Sequence, residues 1–205
     1  MLRFRPMTHT LASALLVAAL ALGCSSTKIN EVFVDSHFTG GPFKKLMVIG
    51  LGATEGGRVQ FENAVCDKLA AQGILGVGSN SVIAASADVT RDAVRAWAAT
   101  DGYDAVLVTR LVDVKKDTTY RPPTYTDFYG YWGSYGSYVT SPGYVLETTT
   151  LVIETTLFDV ASAKPVYSAV SKSFQPSSRT EVINELVPLV VNDLTKRGLL
   201  PPKQG

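Results

Sequence analysis

Apolar and polar positions predict a strand, a helix and a second strand between residues 45 and 77. Residues 45–49 (KLMVI) are almost continuously apolar, which is typical of a strand covered on both faces. After a glycine-rich turn, Phe61, Val65 and Leu69 recur every four residues along one side of a helix that Gly73 ends. Residues 74–77 then predict a short strand.

A second helix and a longer strand follow. Thr90 is a suitable N-cap for this helix, and Gly102 ends it. Residues 105–108 (AVLV) are continuously apolar and predict a strand that extends toward Val114.

The carboxyl-terminal third predicts two paired strands and a last helix. Apolar residues alternate along 151–157 and again along 166–170, and the turn between them makes the two strands a hairpin. Ser178 and Glu181 have the spacing of a capping box at the start of the helix. Pro188 lies inside the helical pattern and predicts a kink or a break there.

The predicted order is β-α-β-α-β, an insertion, then β-β-α. This order predicts an α/β class fold, a single three-layer-like domain with a mixed sheet over residues 43–200. Residues 118–145 form the insertion. Residues 24–42 are mostly polar at their start and contain Gly40, Gly41 and Pro42, so we interpret them as a tether, with Phe33 and Phe38 available for local packing.

The amino-terminal residues 1–23 have the pattern of a signal peptide. Arg3 and Arg5 precede an apolar run over 11–22, which is shorter than the roughly 20 residues that a membrane-spanning helix needs. The segment 20–24 (LALGC) resembles the lipobox of bacterial lipoproteins, although Ala21 and Leu22 depart from its usual residues. An ordinary secretory signal with a coincidental cysteine is the alternative.

The lipobox resemblance implies that Cys24 is acylated, with palmitate or a similar fatty acid, and becomes the mature amino terminus. More than one acyl chain gives stable anchoring. The residue directly after the cysteine is Ser25. In that family, an aspartate at this position often marks retention in the inner membrane. The implied location is therefore the outer membrane, lipid-anchored on its periplasmic face.

Composition narrows the classes of function. The chain is 46% hydrophobic and 18% charged, which is typical of a globular protein. Without the signal peptide, 17 basic residues face 18 acidic ones, so no basic footprint indicates nucleic-acid binding. With Cys24 acylated, Cys66 has no disulfide partner in the chain and fits a buried apolar position. His37, the one histidine of the mature chain, lies in the tether, so neither a zinc site nor a serine-histidine pair is indicated.

The order of elements, together with the lipobox, resembles the curli secretion lipoproteins and the amino-terminal domain of the translocation protein TolB. The segments 102–108 (GYDAVLV) and 157–160 (LFDV) are similar to segments of uncharacterised bacterial outer-membrane lipoproteins. The curli resemblance implies a further possibility, an oligomeric secretion channel into which each subunit contributes a hairpin. Residues 128–138 do not alternate as a membrane-spanning strand should.

The segment from Tyr120 to Tyr144 holds seven of the nine tyrosines, interleaved with glycine and bracketed by proline. Glycine and proline oppose regular packing, and exposed aromatic rings are favoured at binding surfaces. One interpretation is a contact loop for another envelope protein, a glycan or the membrane interface. The other is a hairpin whose rings fold back onto the domain. The predicted partner-binding residues are Tyr125, Phe128, Tyr129, Tyr131, Trp132, Tyr135 and Tyr138.

Nothing in the sequence indicates a reaction or a cofactor. The turn 50–56 lacks the lysine of a P-loop and the spacing of a dinucleotide fingerprint. No spacing singles out a catalytic pair among carboxylates such as Glu55, Glu62 and Glu154. The sequence therefore predicts a non-enzymatic envelope accessory module of unknown oligomeric state. A periplasmic hydrolase using carboxylates and a subunit of a secretion channel are the alternatives.

Overall fold

The computed structural model describes residues 26–51, 54–83, 89–121 and 144–203. Within these ranges, six strands form one open mixed sheet in the order β1-β6-β5-β4-β2-β3. The strands are β1 (Thr27–Val34), β2 (Lys45–Leu51), β3 (Leu75–Gly78), β4 (Ala105–Arg121), β5 (Tyr144–Asp159) and β6 (Lys164–Phe174). The α-helices of the described ranges are α1 (Glu55–Ala70), α2 (Arg91–Thr100) and α3 (Arg179–Lys196). The predicted α/β class and the order of elements after residue 43 are confirmed.

The sheet has a parallel half and an antiparallel half. β2 pairs in parallel with β3 on one side and with β4 on the other, so the chain crosses over through α1 and then through α2. The pairs β4–β5, β5–β6 and β1–β6 are antiparallel. The carboxyl ends of β2 and β3 and the amino end of α1 consequently meet at one edge of the sheet.

Helices cover both faces of the sheet, as the three-layer prediction expected. α1 and α3 cover one face, where the larger core includes Leu46, Leu107, Leu157, Leu186 and Val191. α2 covers part of the other face, and its core holds Met47, Ile49, Trp97, Tyr103 and Val106. The part of this second face that lies on β1, β6 and the middle of β5 has no described helix against it.

The interpretation of residues 24–42 as a tether is wrong from Thr27 onward. β1 pairs along β6 from Thr27 opposite Ser173 to Val34 opposite Tyr167. Thr27 is buried and donates a hydrogen bond from its hydroxyl to that of Ser173, at 3.0 Å. The folded domain therefore begins at least as early as β1 and not near residue 43.

The helix signals in the sequence are largely confirmed. Thr90 accepts a hydrogen bond from the N–H of Ala93, as an N-cap does. Ser178 accepts from the N–H of Glu181, while the Glu181 carboxylate accepts from the N–H of Ser177. The sequence predicted a kink or a break at Pro188, and α3 continues unbroken through this residue to Lys196. No helix in the described part of the chain combines the length and apolar character that crossing a membrane requires.

Candidate functional site

The predicted acylation site and partner-binding residues lie outside the described ranges. These are Cys24 and the aromatic residues Tyr125, Phe128, Tyr129, Tyr131, Trp132, Tyr135 and Tyr138. The two strands that carry the aromatic segment are described up to Arg121 and from Tyr144 onward. The structure therefore defines where this segment begins and ends.

β4 and β5 continue beyond the rest of the sheet as a two-stranded arm. β2 stops pairing with β4 at Arg110, and β6 stops pairing with β5 at Thr150. Residues 116–121 pair only with 144–149, with Arg121 directly opposite Tyr144. We call these two stretches the hairpin arm. At roughly 3.3 Å per residue, its six residue pairs extend about 20 Å past the neighbouring strands.

The described aromatic and aliphatic side chains near the end of the hairpin arm are exposed. Tyr120 is 53% exposed, Tyr144 is 64% exposed and Val145 is 58% exposed. Tyr120 and Val145 lie opposite each other and share one face, whereas Tyr144 and Leu146 point to the other face. Two-stranded ribbons are marginally stable alone in water, and this one exposes apolar groups on both of its faces.

The hairpin arm begins above an apolar groove of about 520 Å³ that lies between α1, α3 and the sheet. Its lining is mostly aliphatic and aromatic and includes Phe61, Leu151, Ile153, Val182 and Leu186. No acidic residue of the described chain lines this groove.

Two helices begin at the mouth of this groove. Gln60 on α1 bonds to Thr180 on α3 at 2.9 Å near their amino ends, and Thr195 bonds to Gln72 at 3.2 Å near their carboxyl ends. The helices are therefore parallel, and both partly positive amino termini lie at the same end. Thr54 and Ser178 cap the two termini and satisfy one N–H of each.

A second groove, of about 670 Å³, lies on the opposite face between α2 and the sheet. It is lined by apolar residues such as Ile49, Val94, Val108 and Phe158, with Asp159 as its one carboxylate among the described residues. A single carboxylate provides no acid-base pair.

A buried polar cluster, which the sequence analysis did not predict, fixes the edge where β2, β3 and α1 meet. Glu62 is fully buried and accepts hydrogen bonds from the N–H of Gly50 (2.9 Å), the N–H of Asn80 (2.7 Å) and the hydroxyl of Ser79. Arg58 is also buried and donates to Ser79 at 2.8 Å and to the carbonyl of Ile83 at 3.0 Å. Both oxygens of Glu62 are occupied, so this carboxylate holds the structure together and is not placed to accept a proton from a substrate.

Cys66 lies on α1 near this cluster and is half-buried. Burial, together with the nearby charge of Glu62, raises the pKa of its thiol to about 11. The thiol therefore stays protonated at neutral pH. The sequence predicted a buried apolar position for Cys66, and the structure buries it in part.

The described chain begins next to α3, two residues after Cys24. Ser26 donates two hydrogen bonds to Glu185, from its N–H at 3.1 Å and from its hydroxyl at 2.9 Å. Its carbonyl accepts from the N–H of Phe174 at 2.9 Å. The pKa of the Glu185 carboxyl lies below its usual range. The main cause is a hydrogen bond from Thr27, and the hydrogen bonds from Ser26 add a smaller effect. Ser26 thus lies at the end of the domain from which the hairpin arm projects.

Within the described ranges, no group of three or more histidine, cysteine or acidic side chains is placed to hold a metal ion. Glu154, one of the carboxylates considered in the sequence, pairs with Arg110 at 2.6 Å across β4 and β5. The structure brings together no pair of the acidic residues considered, apart from Glu55 and Glu62 on either side of Arg58.

Comparison with known proteins identifies no family. No protein-family model matches the chain, and no curated protein matches it. Among solved structures, it is similar to the PelC dodecamer from Paraburkholderia phytofirmans, at 15% identity over 84% of this chain and 97% of that chain, with a TM-score of 0.43. It is also similar to the lipoprotein GNA1162 from Neisseria meningitidis, at 15% identity over 75% of this chain and 99% of that chain, with a TM-score of 0.41. The resemblance to curli secretion lipoproteins and TolB stays a prediction.

Proposed function

We propose that the chain is an outer-membrane lipoprotein, anchored through Cys24, that serves as a non-enzymatic accessory module of the envelope. In this proposal, the aromatic segment 122–143 at the end of the hairpin arm binds another envelope protein or a glycan. The observation that carries the proposal is the hairpin arm itself, whose two strands extend about 20 Å beyond their neighbours, up to Arg121 and Tyr144.

The exposed side chains of the hairpin arm support a binding role. Tyr120, Tyr144 and Val145 are each more than half exposed. Aromatic residues contribute large contact areas at a small cost in conformational entropy, and contiguous exposed apolar groups commonly mark interaction surfaces. In sequence, the segment between Arg121 and Tyr144 contains five further tyrosines, Phe128 and Trp132.

The grooves favour binding over hydrolysis. Hydrolysis by carboxylates needs two acidic groups that face each other across a substrate. Of the residues the structure describes, none that lines the 520 Å³ groove is acidic, and the 670 Å³ groove has Asp159 alone.

The register of the hairpin arm allows a direct test. Arg121 and Tyr144 are opposite each other, so an Asn-Gly pair in place of residues 122–143 closes the hairpin with a two-residue turn. A second variant keeps the length of the segment and replaces its seven aromatic residues by serine. We expect both variants to reach the membrane and stay folded but to lose co-purification of envelope partners. Co-purification that persists in both variants would rule out the aromatic segment as the contact.

The outer edge of β4 favours a second candidate function, a subunit of an oligomeric secretion channel. No described strand pairs with the outer edge of residues 111–119, and a strand edge of this kind is a template for another chain. Detergent-extracted protein that forms a ring in light-scattering measurements would support this function, and a monomer or dimer would exclude it.

A further inference from the structure

The 520 Å³ groove is a long apolar space between the sheet and two helices. Its floor is β5, where Thr149, Leu151 and Ile153 line it from one face of the strand and span about 13 Å. One wall is the first two turns of α1, as far as Phe61, and the other is α3 from its first turn to Leu186. Because its lining extends so far along a strand and two parallel helices, the groove has the shape for an extended chain.

The core closes one end of the groove. Beyond Phe61 and Leu186, the two helices pack on Leu107 of β4, and the gaps between these side chains admit no water molecule. At the other end of the groove, the cap residues Thr54 and Ser178 are exposed. A molecule therefore enters from the end that faces the hairpin arm.

The polar side chains inside the groove are bonded to other protein atoms. The buried guanidinium of Arg58 donates to a serine hydroxyl and to a backbone carbonyl. The hydroxyl of Thr109 is bonded to that of Thr155, at 2.9 Å. Thr149 and Arg179 lie at the open end. The interior therefore presents hydrocarbon to a ligand, which is complementary to an aliphatic chain.

The described chain begins close to the open end of the groove. The carbonyl of Ser26 accepts a hydrogen bond from the N–H of Phe174, and Phe174 is directly opposite Thr150 in β5. Ser26 is therefore two strand spacings, about 10 Å, from the strand that forms the floor. Cys24 is two residues earlier, which adds a reach of at most about 7 Å.

An acyl chain on Cys24 is long enough to enter the groove. The hydrocarbon core of a bilayer is about 30 Å thick, so one acyl chain is about 15 Å long. From Cys24, this length reaches past Pro176 at the rim and along the floor toward Leu151. Burial of each CH₂ group is favourable, so the chain and the apolar lining would stabilise each other in water.

We propose that the 520 Å³ groove holds one acyl chain of Cys24 while the protein is outside a membrane, so that the domain shields part of its own lipid from water. This inference rests on the acylation of Cys24 in the proposed function. In the anchored state the same chain lies in the membrane, so the groove is then vacated.

Photocrosslinking from the acyl chain tests this assignment. Cells that produce the natural chain are supplied with a fatty acid that carries a diazirine near its end, so that the acyl chain on Cys24 becomes photoreactive. The purified mature protein is transferred to detergent-free buffer and irradiated, and mass spectrometry locates the adducts. We expect adducts on groove residues such as Phe61, Leu151 and Leu186. Adducts confined to residues outside the groove would overturn the inference.

A blocking variant with a matched control distinguishes seating in the groove from chance contact. Leu151→Trp adds volume to the floor, and we expect it to reduce groove adducts about tenfold, which corresponds to displacing roughly two CH₂ groups. Leu146→Trp, on the other face of the same strand, should leave them unchanged. Equal adduct yields in the two folded variants overturn the inference. If Leu151→Trp does not fold, the adduct positions in the natural chain decide.

Two failures are distinguishable in the same samples. Adducts that join two copies, seen as a covalent dimer, would place the chain in a neighbouring molecule and overturn the inference while leaving an acylated anchor intact. Intact mass of the purified protein reports the acyl chains on Cys24. Their absence overturns the anchoring proposal, and the inference falls with it.

Discussion

The guanidinium of Arg58 and the carboxylate of Glu62 lie 3.9 Å apart on adjacent turns of α1, and both side chains are almost completely buried. A charge pair in such a place is stabilising only when each charge has further hydrogen bonds. The Glu62 carboxylate accepts hydrogen bonds from β2 and from the turn after β3. These bonds connect α1 to two other segments that are separate in sequence.

Glu62→Gln should therefore be strongly destabilising. An amide NH₂ in place of one carboxylate oxygen would face the N–H of Gly50 or of Asn80, and Arg58 would lose a buried counter-charge. We expect the free energy of unfolding in urea to fall by about 3–5 kcal/mol. Asp67→Asn, an exposed acid on the same helix, is the matched control and should change it by less than about 0.5 kcal/mol. A loss below about 1 kcal/mol for Glu62→Gln would contradict the role given to this cluster.

Glu185 should make the start of β1 sensitive to acid. Its pKa is lowered in the folded protein, so its contribution to stability is present above the ordinary value of 4.5 and is lost as the pH falls through the folded-state pKa. We expect amide hydrogen exchange at Thr27 and Ile29 to accelerate between about pH 6 and pH 3, after correction for the intrinsic exchange rate.

Glu185→Gln removes the titrating group and is the test of that assignment. The variant should exchange faster than the natural chain at neutral pH and show a smaller change on acidification. Glu147→Gln, on the exposed hairpin arm, should keep the natural pH dependence at β1. The same pH dependence in Glu185→Gln as in the natural chain would assign the effect to another group.

The elements with a strong apolar pattern could be predicted from the sequence. Residues 46–50 of β2 are buried on both faces, and the continuous apolar run there identified the strand. β1 was missed because its pairing shifts between Ile29 and Glu31. This bulge places Ile29, Val32 and Val34 on one face at uneven spacing, so the sequence lacks the two-residue period of a half-buried strand.

The extent of the hairpin arm and the Glu62 cluster were also beyond prediction. The insertion was expected over 118–145, whereas β4 reaches Arg121 and β5 begins at Tyr144. Lys115, Lys116 and Asp117 are exposed, so no buried face imposes an apolar pattern there.

Glu62 was considered only as one of several carboxylates. Its partners Gly50 and Asn80 are brought to it by the crossover through α1, and no local pattern in the sequence indicates that contact.

The groove beneath the hairpin arm should accept added volume. Leu151 lines it and Leu157, six residues along the same face of β5, is fully buried in the core. Enlarging a side chain in a packed core lowers the free energy of unfolding by about 1–3 kcal/mol. A side chain that faces open space can be enlarged without this steric strain. We expect Leu157→Phe to lower the free energy of unfolding by that amount and Leu151→Phe to change it by less than about 0.5 kcal/mol. Equal losses would mean that the groove is closed in solution.

Thiol counting distinguishes an acylated Cys24 from a free one. The pKa of Cys66 is raised to about 11, so at about pH 8 only roughly one thiol in a thousand is ionised and reaction with a disulfide reagent is slow. We expect the reduced mature protein to show no fast-reacting thiol when folded and one thiol when denatured, because the Cys24 sulfur carries lipid. Two thiols after denaturation would contradict acylation. In Cys66→Ser the denatured count should fall to zero, and a remaining thiol there would place a free sulfur at Cys24.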